Sequence, residues 1–348
     1  MKVLGIESSC DETAIAIYSE EEGLLGHKVN TQIKLFEEYG GVVPEISARD
    51  HSLKIIPTLR DVLAEHNLST SDIDLVAYTA GPGLVGSLMI GETVAKTLSK
   101  ICKIEILPIH HLEGHILAPG LEERSFQPPY LCLLVSGGHT QILNCKAYGD
   151  YEILGETIDD ACGEAFDKVG KLLGLSYPGG PKISKLAQSG NSSRFSFPRA
   201  LMKEKNLNFS FSGIKTSVLY ALEDLEKKDY PDVAASFQEA VCDVLIRKLQ
   251  LALHQTKQSR LVCSGGVAAN FNLREKLKCL AKEENVAVSF PSLEFCTDNA
   301  AMIAFAGYIR KKHNLPKYNT NSARPRWPLG ELYDCLLYTS DAADDCWS

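Results

Sequence analysis

Three apolar runs, each closing on a glycine-bearing turn, constrain the possible folds of this chain most strongly. Residues 73–78 run into Thr79-Ala80-Gly81-Pro82-Gly83, residues 130–135 into Ser136-Gly137-Gly138-His139-Thr140, and residues 260–263 into Ser264-Gly265-Gly266-Val267-Ala268-Ala269-Asn270. Short apolar runs bounded by turn residues read as buried strands. Helical segments follow over 87–99 and from about residue 273 to 282, and the apolar pattern predicts another over 55–65. Two further strands, over 2–8 and 13–19, form a hairpin around the polar turn Ser9-Cys10-Asp11-Glu12. Strands alternating with helices indicate an α/β chain of two lobes with a cleft between them.

A glycine after a buried strand opens backbone conformations closed to other residues and lets amide N–H groups approach an oxyanion. One such turn is equally well explained as a plain strand end. Three, together with the polar hairpin turn, favour a nucleotide in the cleft. The P-loop pattern Gly-x-x-x-x-Gly-Lys-Ser/Thr is not present. The shared Ser-Gly-Gly of two turns is a weak internal duplication, without a tandem period.

At 348 residues, 45% hydrophobic and 23% charged, the chain is long enough for two lobes with separate cores. No apolar run is long enough for a membrane span and no secretory leader opens the chain, so a cytoplasmic protein is expected. The 11 cysteines contain no Cys-x-x-Cys pair, which argues against a disulfide framework or zinc ribbon. A net charge of −8 argues against bulk polyanion binding, leaving local patches such as 199–205 and 310–313, which solvated helix faces and ends would also explain. The stretch from Asp334 resembles a translated read-through and is expected to be non-native. It holds four acids (Asp334, Asp341, Asp344, Asp345) and no base, so the rest of the chain carries −4.

His111 and His115, in His110-His111-Leu112-Glu113-Gly114-His115, directly follow the apolar run 104–107. On a helix, residues four apart share a face at about 6 Å, close enough for two imidazoles to hold one cation. A loop histidine pair without metal is the plain alternative. The best third ligand is Asp298, at the start of an apolar helix and expected to point outward from its first turn. A zincin needs a glutamate directly after the first histidine; here that position is Leu112, and Glu113 falls on another face.

The motifs Gly5-Ile6-Glu7-Ser8-Ser9-Cys10-Asp11-Glu12-Thr13, Gly40-Gly41-Val42-Val43-Pro44-Glu45, Thr79-Ala80-Gly81-Pro82-Gly83-Leu84, the histidine motif, Leu134-Val135-Ser136-Gly137-Gly138-His139-Thr140, Phe209-Ser210-Phe211-Ser212-Gly213-Ile214-Lys215-Thr216, the Ser264 to Asn270 turn and Cys296-Thr297-Asp298-Asn299 closely resemble, in order, those of the TsaD family. These are the tRNA N6-adenosine threonylcarbamoyltransferases, once misnamed sialoglycoprotein endopeptidases. The resemblance spans about 2–329; Ile46-Ser47-Ala48-Arg49 departs from the family's usual Leu-Ala-Ser-Arg.

The resemblance implies a two-lobed actin-like ATPase fold of the sugar kinase, Hsp70 and actin type, a duplicated RNase H-like α/β architecture. Its parts would be a first lobe over 1–108, a second over 109–297, a closing helix and C-terminal segment over 298–332 that packs back on the first lobe, and the non-native tail over 333–348. It implies one Fe(II) or Zn(II) on His111, His115 and Asp298, with the adenylate's phosphate and threonyl end at Leu134, Val135, Ser136, Gly137 and Gly138. Asp167, Gly180 and Asn270 would hold ribose and adenine; a solvated helix position and an ordinary turn are the plain readings of the first two.

The implied reaction moves threonylcarbamoyl from threonylcarbamoyl-AMP to the exocyclic amine of the adenosine 3′ of the anticodon in tRNAs reading ANN codons. Such a site would also accept ATP, ADP or AMP. Asp11 or Glu12 could remove the amine proton, and a plain polar turn is their alternative. An actin-fold kinase or ATPase is the second reading of the chain, a metalloendopeptidase a distant third. Besides tRNA, the resemblance implies a paralogous actin-fold subunit (TsaB-like) and a P-loop ATPase subunit (TsaE-like). The small residues Gly86 and Gly91, expected to be exposed on the helix after Gly83, could dock the former or pack against their own sheet.

Overall fold

A computed structural model describes residues 1–123, 125–318 and 322–332. The tail over 333–348 lies outside the described residues.

Among the described residues, ten strands form two sheets: β1 (Lys2–Glu7), β2 (Glu12–Ser19), β3 (Gly23–Thr31), β4 (Leu75–Gly81) and β5 (Glu105–His110) in one, β6 (Tyr130–Val135), β7 (Thr140–Ala147), β8 (Asp150–Glu156), β9 (Arg260–Ser264) and β10 (Ala287–Ser289) in the other. Their orders are β3-β2-β1-β4-β5 and β10-β9-β6-β7-β8. In each, a three-stranded antiparallel meander continues through its first strand into two parallel strands: β1 pairs β2 antiparallel and β4 parallel, as β6 pairs β7 and β9. The duplication hinted at by two Ser-Gly-Gly turns is thus a duplication of topology, and the chain has a two-lobed, actin-like α/β fold. The turn equivalent to Ser136-Gly137-Gly138 is the glycine-free Ser8 to Asp11 connection.

The strands β1, β4, β6 and β9 are almost wholly buried, which is why they read as apolar runs rather than alternations. Parallel sheets covered on both faces need helices over them, and ligands sit beyond the carboxyl ends of such strands. The helices are α1 (Ile33–Phe36), α2 (Pro44–Glu65), α3 (Val85–Cys102), α4 (His111–Leu117), α5 (Cys162–Leu172), α6 (Gly179–Ala187), α7 (Ser212–Leu222), α8 (Tyr230–Thr256), α9 (Phe271–Glu283), α10 (Leu293–Cys296) and α11 (Ala300–Lys312). From Ala300 to Arg310 every residue of α11 is buried, and the helix packs on β1, β2 and β4. A Cβ at Gly5 would lie 2.3 Å from the Ala300 carbonyl oxygen, so strand and helix meet at a separation only glycine permits.

Two expectations need correcting. The helix predicted over 55–65 extends back to Pro44, because its buried face includes Ser47, His51 and Thr58, which erase the apolar period. Gly86 and Gly91 are not an exposed pair: their Cβ positions would lie 3.1 Å from Ala48 Cβ and 2.4 Å from Ser8 Oγ, so they let α3 approach α2 and the β1 turn. No described helix is long and apolar enough to cross a membrane.

Candidate metal centre and interlobe cleft

The chain passes from β5 into α4 without a linker, since His110 ends the strand and caps the helix, its Nδ1 accepting from Leu112 N at 3.2 Å. His111 and His115 therefore lie at the first and fifth positions of a fully buried helix, ring centroids 4.8 Å apart. Asn299 caps α11 by accepting from Met302 N, which leaves Asp298 in the bend between α10 and α11, before the helix rather than in its first turn. Its Oδ1 lies 3.1 Å from His115 Nε2 and 3.4 Å from His111 Nε2. One ligand atom from each of the three falls within 4.8 Å of the others. Two ligands of one tetrahedral ion at about 2.1 Å stand about 3.4 Å apart, so the spacing and the donor set fit a divalent ion such as Fe(II) or Zn(II).

Burial disfavours charge on these groups, and their partners overrule it. The neighbouring imidazoles hold Asp298 far below the ordinary carboxylate range despite its burial. The carboxylates of Asp298 and Glu7 push His111 well above the ordinary histidine value, and His111 in turn holds Glu7 down. Two carboxylates on either side of one imidazole favour a positive charge between them.

Glu12 opens β2 and Asp11 directly precedes it, and both line the same cavity of about 920 Å³ that reaches His111 and Asp298. Asp11 Oδ2 accepts from Tyr177 of the other lobe at 3.3 Å. Burial and the neighbouring Asp298 raise Asp11, while burial and the adjacent Asp11 push Glu12 up to about 10. The pair therefore holds a proton at neutral pH.

Across the cleft, Ser136, Gly137 and Gly138 line the cavity, and a Cβ on either glycine would touch nothing within 4 Å. These glycines have no positive φ, contrary to the conformational argument from sequence; their contribution is open space beside the backbone. Gly265 does need that freedom, with φ +92° and a Cβ position 2.4 Å from Val135 O. Leu134 and Val135 are fully buried core side chains absent from the cavity wall. Asp167 lies on α5 and caps α6, accepting from Gly179 N at 2.7 Å, and burial raises its pKa. Gly180 lines the cavity in the first turn of α6. Asn270 caps α9 through Oδ1 and donates both amide protons, to Ser184 and Gln238 at 2.8 Å.

Sequence reasoning singled out neither Glu7, Tyr177 nor His139, all beside these groups. The available signal for Glu7 was a carboxylate directly after the apolar residues Val3 to Ile6. His139, pushed down to about 4 by burial and the His111 and His115 charges, is neutral at physiological pH. Glu113 points away from the cavity into a buried cluster: Arg310 Nη1 donates to it at 2.9 and 3.0 Å, Tyr318 at 2.5 Å and Tyr151 at 3.0 Å. A peptidase base at this position is therefore not available. Arg310 is 1% exposed and so takes no part in a surface patch over 310–313; the exposed Lys311 pairs with Glu105, and in the other segment Arg199 pairs with Asp243.

A family model described as TsaD, tRNA N6-adenosine threonylcarbamoyltransferase, matches residues 23–305. The chain belongs to the TsaD family. Membership makes it a member of a transferase family that modifies tRNA. Solved structures share the fold at low identity. HypF from T. kodakarensis is 15% identical with a TM-score of 0.60, over 90% of this chain and 48% of that one. The (R)-2-hydroxyglutaryl-CoA dehydratase component A from Acidaminococcus fermentans is 14% identical with a TM-score of 0.52, over 90% and 99%.

Proposed function

We propose that this TsaD-family chain transfers threonylcarbamoyl from threonylcarbamoyl-AMP to the exocyclic amine of the adenosine 3′ of the anticodon in tRNAs reading ANN codons. One observation carries the reading: the His111–His115–Asp298 cluster, the Asp11–Glu12 pair and the glycine turns of the second sheet open into one cavity of about 920 Å³. That is a volume suited to a nucleotide-sized ligand.

The donor is a mixed anhydride that carries AMP as its leaving group, so no covalent enzyme intermediate is needed. The amine nitrogen forms a bond to the carbamoyl carbon, the bond from that carbon to the phosphate oxygen breaks, AMP leaves with the electron pair, and the amine loses a proton. His111, His115 and Asp298 would hold an Fe(II) or Zn(II) ion, which when bound supplies Lewis-acid polarisation of a donor oxygen. Gly137 and Gly138 allow backbone amides to approach the phosphate without an intervening side chain. Asp167 retains lone pairs for ribose hydroxyls, and Asn270, whose amide protons are committed, has one Oδ1 lone pair left for adenine. Gly180 leaves room beside them. Within the acidic pair, Glu12 keeps the proton and Asp11 accepts the one released by the amine.

The partner readings follow the same family: tRNA, a TsaB-like subunit and a TsaE-like ATPase. Leu53, Ile56, Val85 and Met89 are exposed apolar residues on α2 and α3 and offer a face for the TsaB-like subunit. The test is incubation with threonylcarbamoyl-AMP and unmodified tRNA, with ATP plus small acceptors and a glycoprotein as parallel arms. Modified adenosine in the first arm is expected; phosphorylated acceptor or cleaved glycoprotein in its place would overturn the reading.

A further inference from the structure

Glu7 ends β1 fully buried at 0% exposure, directly after the buried apolar residues Val3 to Ile6. An ionised carboxylate in such a place is costly unless its lone pairs are filled. Its Oε1 accepts from Ser9 N at 2.5 Å, and its Oε2 accepts from Thr79 Oγ1 at 2.6 Å and faces His111 Nδ1 at 3.1 Å. The opposite ring nitrogen of His111 faces Asp298. His115 differs: its Nε2 faces Asp298 too, but among the described residues its Nδ1 has no hydrogen-bond partner.

We propose that Glu7 is a positioning residue that holds the remaining proton of metal-bound His111 on Nδ1 and so presents the Nε2 lone pair to the ion. The inference rests on the reading of His111, His115 and Asp298 as ligands. A ligating imidazole is oriented and made more basic by an acceptor at its other nitrogen, and loss of such an acceptor costs about 10–100-fold in metal affinity. Among the described residues no other carboxylate is hydrogen-bonded to Nδ1, whose further neighbour is Ser9 Oγ at 3.3 Å. Because Oε1 is tied to Ser9 N, the same side chain links the cluster to the turn that carries Asp11.

Glutamine at position 7 separates charge from shape. If its NH2 replaces Oε2, it meets the Nδ1 proton of His111 and drives that proton to Nε2; if it replaces Oε1, it meets the Ser9 N–H. The experiment is Zn2+ titration of the full chain against a chromophoric chelator, for wild type, Glu7→Gln, His111→Ala, Asp298→Ala and Thr79→Val. It is joined by long-range 1H–15N NMR of the Zn2+-loaded wild type. Expected are a 10–100-fold weaker Zn2+ affinity in Glu7→Gln, a smaller change in Thr79→Val, which keeps the carboxylate, and a protonated Nδ1 with a metal-bound Nε2 on His111. Unchanged Zn2+ affinity in Glu7→Gln, while His111→Ala and Asp298→Ala lose it, would overturn the Glu7 role alone. Retained affinity in those two ligand variants would overturn the metal site and the inference with it. Should Glu7→Gln fail to fold, the wild-type spectrum decides: Zn2+ on Nδ1 overturns the role, and a proton there supports it.

Discussion

Asp298 Oδ1 stands 3.1 Å from His115 Nε2, two side chains separated by 183 residues of chain and brought together where β5 passes into α4 and α10 into α11. Since Asp298 is, among the described residues, the one carboxylate paired with both Nε2 atoms, Asp298→Ala should lose bound metal and tRNA modification together. The drop in Zn2+ affinity should exceed the ~10–100-fold cost of removing an outer partner. Elemental analysis and a transfer assay check it, and retention of both metal and rate would remove Asp298 from the ligand set.

The helix that carries the histidines is clamped from behind. Glu113 and Arg310 form an ion pair at 2.9 Å with 0% and 1% side-chain exposure, which ties α4 to α11. Removing one member of a buried pair leaves an uncompensated charge and costs about 3–5 kcal/mol. Arg310→Met should therefore lose that much stability in denaturant unfolding. Adding Glu113→Leu should recover part of the loss, because the stranded carboxylate goes with it. Equal or greater loss in the double variant would mean that shape, not charge, holds this joint.

How far such features can be read from sequence depends on what each residue's neighbours are. Tyr130–Val135 is legible to the residue because both of its faces are buried, leaving an uninterrupted apolar run. The His111, His115 spacing is legible because one short helix carries both. The first three turns of α2 are not, since Ser47 and His51 spend their burial on hydrogen bonds to the Cys10 carbonyl, at 2.5 and 3.0 Å, rather than on apolar contact. Arg310 misleads in the opposite direction: beside Lys311 and Lys312 it reads as part of a basic surface run, whereas the distant Glu113, together with Pro316 and Tyr318, holds it in the core. Partners far away in sequence leave no local pattern; for Glu7 the apolar run before it hints at burial, but Thr79 and His111, which give that burial its purpose, are distant.

The acidic pair should respond unequally to neutralisation. Glu12, pushed up to about 10, already holds a proton, so Glu12→Gln preserves a donor toward Asp11. Asp11→Asn removes the group that accepts the amine proton, a role worth roughly 10²–10⁴-fold in rate. Single-turnover transfer should fall by that factor in Asp11→Asn and by much less in Glu12→Gln, with Zn2+ content unchanged in both. The reverse ranking would make Glu12 the base.

Acid should destabilise the fold through buried neutral histidines. His51 accepts at Nδ1 from Thr13 Oγ1 at 2.7 Å and donates from Nε2 to the Cys10 carbonyl, and burial holds its pKa below the ordinary histidine value of about 6.5. Below that value the unfolded chain binds a proton that the folded one refuses, so stability falls as pH falls, until the folded pKa is reached. One such group contributes a slope of at most about 1.4 kcal/mol per pH unit. His110, pushed down to about 3 by burial, and His139, down to about 4, act with the same sign. His51→Gln should flatten the dependence of melting temperature on pH between 5 and 6.5 without abolishing it, and an unaltered slope would show that His51 does not titrate on unfolding.

Two glycines that look alike in sequence, each following a buried strand and a serine, should answer alanine substitution in opposite ways. At Gly265 the backbone has φ +92° and the new methyl would lie 2.4 Å from the Val135 carbonyl oxygen, so strain and collision fall on the joint between β9 and β6. At Gly137 the backbone has no positive φ and the methyl meets nothing within 4 Å, so the fold can accept it. Because Gly137 lines the cavity, that methyl takes up space which the phosphate reading assigns to ligand. Gly265→Ala should lower the melting temperature, by the equivalent of roughly 1–3 kcal/mol for a strained residue. Gly137→Ala should leave it unchanged while weakening AMP binding in calorimetry by about tenfold or more, as expected when a close backbone approach is blocked. AMP binding as tight as in wild type would place the phosphate elsewhere in the cleft.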